Sequence, residues 1–202
     1  MLLLVGLGNP GPRHAPTRHN VGFRVVERFA ARHRIALDEA ACGGRLGRGR
    51  MGSLGPELAI LEPLAFMNLS GDSVAAALRL LAVADPARDL LVVLDDVDLP
   101  FGRLRLRASG GAGGHRGLAH IQECLGRRDQ RRLRFGVGRP APGQETADYV
   151  LQPFSREEEQ QLPARLEHAC DALEAALRGD FEAAMGRFNR DPDAEPRPDN
   201  PE

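Results

Sequence analysis

The chain opens on a short apolar run that ends in a glycine-rich turn, and this start constrains the fold more than any other segment. Residues 2–5 are all large and aliphatic, which is typical of a strand buried on both faces. The turn Gly6-Leu-Gly-Asn-Pro-Gly11 follows and presents the amide of Asn9. Open α/β folds commonly place binding and catalytic groups at the carboxyl ends of such strands.

The same turn also matches G-x-G-x-x-G, the fingerprint of dinucleotide-binding folds, through Gly6, Gly8 and Gly11. That fingerprint requires a helix that starts within the motif, so that its N-terminus receives the pyrophosphate. Three prolines between residues 10 and 16 keep this segment out of a helix until about residue 20. A nucleotide-dependent oxidoreductase is therefore the weakest of the functional hypotheses.

Beyond the turn, strand-like and helix-like patterns alternate along the chain. The spacing of apolar residues predicts helices over 21–33, 72–83, 118–125, 155–178 and 180–188, and strands over 2–5, 45–51, 57–62, 90–94, 103–107 and 133–137. Asn20 is the expected N-cap of the first helix, Ser70 is expected near the cap of the second, and Pro163 could bend or divide the long one. We expect an α/β fold with a twisted, mostly parallel or mixed sheet and helices on both faces.

We assign residues 1–190 to this single domain and residues 191–202 to a disordered, acidic, proline-rich tail. The net charge of −1 conceals a basic block, because residues 103–139 carry ten arginines against Glu123 and Asp129. Such a block predicts a surface for anions or nucleic acid, with an ordinary solvated face as the alternative.

Cysteine spacing and hydropathy argue against a disulfide-rich, zinc-binding, secreted or membrane-spanning protein. Cys42, Cys124 and Cys170 are widely spaced without a C-x-x-C pair, which argues against a disulfide framework or a zinc site and fits a reducing compartment. The sequence shows neither a signal peptide nor an apolar run of roughly 18 residues, the minimum for a membrane span. We expect a cytoplasmic protein that does not associate with membranes.

His19 and Asp95 are the candidates for acid–base chemistry. An imidazole titrates near neutral pH, and it needs an orienting partner to act as a base. Asp95 follows the apolar run 90–94, so it is expected at the carboxyl end of a central strand. Asp96 and Asp98 leave magnesium as an alternative, ranked lower because Asp95 and Asp96 point to opposite faces of a strand.

The nucleophile is expected to be water, because the chain has no G-x-S-x-G elbow and no cysteine at a strand end. Asn9 and Asn68 supply neutral amides that could hold a carbonyl or stabilise an oxyanion. Asn68 could equally cap a helix, and the neighbouring Phe66 and Met67 could belong to the core.

Taken together, these motifs resemble those of the bacterial peptidyl-tRNA hydrolase family, in the family's order and over about residues 3–190. The matching segments are Val5-Gly-Leu-Gly-Asn-Pro-Gly11, Thr17-Arg-His-Asn20, Phe66-Met-Asn-Leu-Ser-Gly71, Asp95-Asp-Val-Asp-Leu-Pro100, Gly113-Gly-His115 and Arg132-Leu-Arg-Phe-Gly-Val-Gly-Arg-Pro140. The resemblance implies a monomeric enzyme without cofactor or metal that cleaves the ester between a peptide and the terminal ribose of tRNA.

The resemblance also assigns roles to individual residues. It implies His19 as the catalytic base, Asp95 as its partner, and Asn9 as the group that recognises a blocked peptide. Phe66 and Asn68 would contact substrate near the 3′ end of the tRNA. A phosphate clamp on the acceptor stem would consist of Arg105, Arg107 and Arg134.

Two positions depart from the family's pattern. Arg116 stands where an asparagine usually follows Gly-Gly-His, and His14 stands where the first loop usually has a tyrosine. Arginine adds a charge and removes the acceptor that an amide offers. Both residues remain candidates for contacting tRNA, but they leave open a non-catalytic or weakly active RNA-binding relative of the same fold.

Overall fold

Seven strands form one mixed sheet in the computed structural model, which describes residues 1–52 and 54–190. The strands are β1 (Leu2–Gly6), β2 (Glu39–Ala41), β3 (Gly44–Arg50), β4 (Glu57–Pro63), β5 (Leu90–Asp96), β6 (Leu104–Arg107) and β7 (Arg131–Gly136). Across the sheet they follow the order β2-β3-β4-β1-β5-β7-β6. The four central strands, β4, β1, β5 and β7, are parallel, and the pairs β2–β3, β3–β4 and β6–β7 are antiparallel. The predicted fold class is confirmed.

The helices include all five predicted ones, the first with the predicted bounds and the others with ends shifted by one to three residues. They are α1 (Val21–His33), α2 (Ser70–Leu80), α3 (Pro86–Asp89), α4 (Arg116–Leu125), α5 (Thr146–Val150), α6 (Arg156–Arg178) and α7 (Phe181–Phe188). Single 3₁₀ turns over Arg18–Asn20 and Met67–Leu69 precede α1 and α2. The strand β2 and the short helices α3 and α5 are additions that the apolar spacing did not predict.

Three sequence-based expectations about helix geometry concern Asn20, Ser70 and Pro163. Asn20 occupies the predicted N-cap position of α1, but its side chain bonds to Asn9 and not to the helix. Ser70 lies next to the N-cap of α2 as its first residue, and its hydroxyl donates to the carbonyl of Met67. Pro163 does not divide α6, whose N-terminus is stabilised by a capping box between Ser155 and Glu158. The predicted tail over 191–202 lies outside the described residues.

Two apolar layers cover the sheet. Successive residues of β1 point to opposite faces, so Leu4 packs in the layer under α1, α6 and α7, while Leu3 and Val5 pack in the layer under α2 and α4. Each of these leucines is fully buried, which stabilises the fold by about 1.5–3 kcal/mol per side chain. None of the helices in the described ranges combines the length and apolarity needed to cross a bilayer.

The strand order reverses at β1, which pairs with β4 on one side and β5 on the other. A crevice opens beyond the carboxyl ends of strands at such a reversal. Glycines let α1 lie directly against β1, because a Cβ on Gly6 would stand 2.5 Å from Val26 Cγ2 and 2.6 Å from the Gly22 carbonyl oxygen. The glycines therefore serve close packing, and α1 begins ten residues beyond Gly11 rather than within the motif.

Candidate active site

His19, Asp95 and His115 meet at the crevice, and each comes from a different element. His19 lies in the 3₁₀ turn before α1, Asp95 lies near the end of β5, and His115 is the N-cap of α4. Asp95 Oδ1 lies 2.7 Å from His19 Nδ1 and 3.0 Å from His115 Nε2. The two imidazole rings are tilted by 46° with their centroids 5.0 Å apart. One carboxylate oxygen therefore orients two histidines.

The partners of each ring nitrogen determine where the protons lie. His115 Nδ1 accepts a hydrogen bond from the backbone N–H of Leu118 at 3.2 Å, so the neutral ring carries its proton on Nε2 and donates it to Asp95. His19 Nδ1 likewise donates to the carboxylate. The remaining nitrogen of His19, Nε2, keeps its lone pair, and this is the nitrogen that can take a proton from water.

Asp95 is held as a carboxylate. Burial alone would raise the pKa of this carboxyl group, but the adjacent imidazoles of His19 and His115 hold it well below the usual range. His19, Asp95 and His115 could in principle hold a metal ion. The contacts fit hydrogen bonding better, because 2.7 and 3.0 Å are shorter than the roughly 3.3 Å that separates a nitrogen and an oxygen bound to one tetrahedral zinc ion.

Asn9 is fixed beside this group by two partners. Asn20 holds its backbone, because Asn20 Oδ1 accepts from the Asn9 N–H at 2.9 Å and Asn20 Nδ2 donates to the Asn9 carbonyl at 2.8 Å. Asn9 Oδ1 accepts from the backbone N–H of Met67 at 2.9 Å. Since a backbone N–H can only donate, the oxygen must face Met67. Asn9 Nδ2 is then left as a donor without an acceptor among the described residues.

The remaining residues predicted to contact substrate are more exposed. Asn68 is exposed in the 3₁₀ turn before α2, and Phe66, just before that turn, exposes 61% of its surface. Met67 between them is buried. Of the two residues that could have belonged to the core, Phe66 and Met67, only Met67 does. His14 is half-buried in the loop before His19.

Arg18 anchors the loop that delivers His19. Its guanidinium bonds to the Pro153 carbonyl, pairs with Glu158 at 2.6 Å, and lies 4.4 Å from the centre of the Tyr149 ring. This side chain is buried, so the pair and the stacking hold the loop firmly to the start of α6. The position of His19 is therefore fixed by the contacts of its two neighbours in sequence, Arg18 and Asn20.

The predicted clamp residues Arg105, Arg107 and Arg134, which we call the arginine surface, lie on β6 and β7. Arg105 and Arg134 are directly paired across the two strands. Arg107 is exposed and Arg105 is half-buried, and neither has an ion-pair partner among the described residues. Arg134 differs, because it pairs with Asp96 at 3.0 Å and donates to the Gly111 carbonyl at 3.2 Å.

The three neighbouring carboxylates have separate partners. Asp95 faces the histidines, Asp96 binds Arg134 and the backbone N–H of Asp98, and Asp98 pairs with Arg139 at 3.1 Å. The magnesium alternative requires these oxygens to converge on one point. Their separation leaves the His19–Asp95 pair as the chemistry that this edge of the sheet supports.

Arg116 begins α4 directly after His115. Its side chain is exposed and has no hydrogen-bond or ion-pair partner in the part of the chain that the structure describes. Arg116 is therefore adjacent to His115 in sequence and takes no part in the hydrogen bonds of the histidine pair.

A family model described as peptidyl-tRNA hydrolase matches residues 3–196. The chain belongs to the peptidyl-tRNA hydrolase family. A relative named peptidyl-tRNA hydrolase from Symbiobacterium thermophilum is 48% identical over 93% of this chain and 98% of its own length. Another, from Chloroflexus aggregans, is 47% identical over 94% and 99%.

Solved structures agree with these relatives. The crystal structure of peptidyl-tRNA hydrolase from Acinetobacter baumannii matches with a TM-score of 0.84 and 34% identity, covering 94% of each chain. The resemblance inferred from six short motifs is thus confirmed at the level of the peptidyl-tRNA hydrolase family.

The contacts of two residues of this site, His115 and Asn20, are not predicted by the sequence patterns. A histidine at the start of a helix after a glycine-rich loop is the signal that could indicate His115 as a second partner of Asp95. The position of Asn20 before a helix predicts a cap and gives no sign of its bonds to Asn9. Both roles depend on contacts between segments, 20 residues apart for His115 and Asp95 and 11 for Asn20 and Asn9.

Proposed function

We propose that this chain hydrolyses the ester bond that joins a peptide, or an N-blocked amino acid, to the terminal ribose of tRNA, with His19 as the general base. The observation that carries the proposal is the short bond between His19 Nδ1 and Asp95 Oδ1, which leaves Nε2 free at the crevice. Membership of the peptidyl-tRNA hydrolase family supports the same reaction.

In the first step, His19 Nε2 takes a proton from a water molecule whose oxygen attacks the ester carbonyl carbon. The imidazolium that forms is stabilised by Asp95, which is ionised and buried beside it. A positioned base of this kind contributes about 10²–10⁴ to the rate. His115 holds the same carboxylate oxygen from the other side, so it acts as a positioning residue.

The attack places a negative charge on the former carbonyl oxygen. Asn9 Nδ2 is preorganised to donate to that oxyanion or to the blocked amino end of the peptide, because Met67 fixes the opposite end of the amide. Asn68, the residue after Met67, supplies a second amide donor. In the second step the C–O bond to ribose breaks, and the ribose oxygen takes the proton from His19 while the peptide leaves as a carboxylic acid that ionises.

The arginine surface would hold the acceptor stem of the tRNA. Phosphate contacts position a nucleic acid without reading its sequence, which suits an enzyme that accepts every tRNA. Arg105 and Arg107 are the stronger members because their guanidinium groups are uncommitted, whereas Arg134 already pairs with Asp96. Phe66, His14 and Arg116 would contact the 3′ end. The enzyme would act as a monomer in the cytoplasm.

Turnover of an N-blocked aminoacyl-tRNA by the unmodified protein tests the proposal. We expect hydrolysis that the His19→Ala variant loses while tRNA binding persists. Binding of tRNA without any turnover by the unmodified protein would favour the alternative of a non-catalytic RNA-binding relative. That alternative is not favoured by the family or by an intact His19–Asp95 pair.

A further inference from the structure

A second group of possible metal ligands lies on the helical layer formed by α2 and α4. Asp72 comes from the first turn of α2, and His120 and Cys124 come from α4. Cys124 Sγ lies 3.6 Å from His120 Nε2 and 3.8 Å from Asp72 Oδ1. All three ligand atoms lie within 4.8 Å of one another.

These separations suit one metal ion. Tetrahedral zinc binds thiolate at about 2.3 Å and imidazole or carboxylate at about 2.0–2.2 Å, which places sulfur roughly 3.6 Å from nitrogen or oxygen. The sulfur-to-nitrogen and sulfur-to-oxygen separations are close to that value. Cys124 Sγ also lies 3.9 Å from His120 Nδ1, so the imidazole must turn about its Cβ–Cγ bond to direct Nε2 at the ion. Cys124 and Asp72 are exposed and His120 is half-buried, so water can complete the coordination.

The two ligands on α4 are four residues apart, which places them on one face of the helix one turn from each other. Asp72 approaches from the neighbouring helix because α2 packs closely on α4 at Gly71. A Cβ at Gly71 would stand 2.7 Å from Cys124 Sγ and 2.5 Å from the His120 carbonyl oxygen. A glycine at this point therefore permits the close approach that brings the carboxylate to the thiol.

We propose that Asp72, His120 and Cys124 form a binding site for a zinc-like divalent cation. The ligand set combines a thiolate, an imidazole and a carboxylate, which zinc and cobalt(II) accept and which magnesium does not favour. A bound ion would fasten α2 to α4, the two helices that follow the predicted substrate residue Asn68 and the positioning residue His115.

Two local interactions must change when the cation binds. Burial and the adjacent Asp72 raise the pKa of the Cys124 thiol, so metal binding must displace its proton. His120 Nδ1 accepts from the Gly71 N–H at 3.0 Å, so coordination through Nε2 moves the ring proton to Nδ1 and loses that bond.

Titration of the full-length protein with Zn²⁺ by calorimetry, and with Co²⁺ by absorption spectroscopy, tests the site. We expect one equivalent of each ion, with a thiolate-to-cobalt charge-transfer band. Cys124→Ser should abolish the band, and Cys124→Ser and His120→Gln should each weaken zinc binding by about tenfold or more. Cys42→Ser is the matched control, because Cys42 is half-buried elsewhere, and it should leave both signals unchanged.

Two results would overturn the proposal. One is the absence of saturable zinc binding in a protein that circular dichroism shows to be folded. The other is binding that survives Cys124→Ser but is lost in His115→Gln, which would move the ion to His19, Asp95 and His115. Neither result bears on ester hydrolysis by the unmodified protein, so the two proposals fail independently.

Discussion

The active-site edge, formed by His19, Asp95 and His115, adjoins the arginine surface, because β5 carries Asp95 and the neighbouring β7 carries Arg134. Opposite physical principles organise the two regions. Asp95 points to one face and is buried between two imidazoles, while the next residue, Asp96, points to the other and pairs with Arg134. The first region uses short, directional hydrogen bonds among residues that are almost completely buried. The second presents Arg105 and Arg107 as cations without partners among the described residues.

The contrast between the two regions corresponds to two functions, catalysis and the binding of tRNA. Buried hydrogen bonds fix geometry to fractions of an ångström and are insensitive to salt. Exposed cations attract any polyanion, and their contribution weakens as ionic strength rises. We therefore expect substitutions at the active-site edge to change turnover and those at the arginine surface to change affinity.

The largest expected effect is that of His19→Ala. Removing the base should lower kcat by about 10²–10⁴. Binding of tRNA should stay within experimental error, because His19 contributes no phosphate contact in this account. Single-turnover hydrolysis of a blocked aminoacyl-tRNA and a separate binding titration measure the two quantities. Equal losses in turnover and affinity would remove the distinction between the regions.

Replacing the two neighbouring aspartates gives a matched comparison. Asp95→Asn presents an amide to two N–H donors, so it should misorient His19 and lower kcat by about 10²–10⁴. Asp96→Asn keeps the shape and loses only the charge opposite Arg134, so kcat should change by less than about threefold. Steady-state kinetics give kcat for both variants. Similar losses of kcat would contradict the role of Asp95 as the partner that orients His19.

Much of this comparison was predictable from the sequence. The apolar run 90–94 placed Asp95 at a strand end, and the Arg–Leu alternation placed Arg105 and Arg107 on one face of β6; both predictions are confirmed. The roles of His115 and Asn20 were not predictable in the same way. Local patterns report which residues share an element, whereas these two contacts depend on how β1, β5 and α4 come together in space.

If the arginine surface binds tRNA phosphates, the affinity for tRNA should fall as the salt concentration rises. Arg105→Gln and Arg107→Gln should each reduce the slope of log affinity against log salt by about 1, from an initial slope of about −2 to −3. Arg134→Gln should reduce it less, because Asp96 already neutralises that guanidinium. Binding titrations at several salt concentrations measure these slopes. Three equal reductions would show that Arg134 is as free as the others.

Stability should depend on pH through Asp95. Because the pKa of this carboxyl group is lowered in the folded state, its contribution is present above its unfolded value, about 3.9, and is lost as pH falls below that value. The difference in unfolding free energy between the unmodified protein and Asp95→Asn should shrink as pH falls from about 5 to below about 4. Denaturant unfolding across this range measures the difference. A difference that grows on acidification would contradict a lowered pKa of Asp95 in the folded state.

The smallest expected effect is that of Arg116→Asn, which restores the residue usual in the family. Arg116 has no partner among the described residues and only adjoins the histidine pair, so kcat should change by less than about threefold while the salt slope falls by about 1 or less. Kinetics and binding titrations of the same preparation give both values. A large gain in kcat with an unchanged slope would mean that the amide, not the charge, serves this position.

If Asp95 acts through His19, the effects of replacing the two residues should depend on each other, and a double-mutant cycle measures that dependence. Single-turnover rates would be measured for His19→Ala, Asp95→Asn and the double variant. If the carboxylate works only by orienting and stabilising the imidazole, the double variant should react as slowly as His19→Ala alone, within about twofold. Rate losses that multiply in the double variant would contradict the account, because each residue would then act independently of the other.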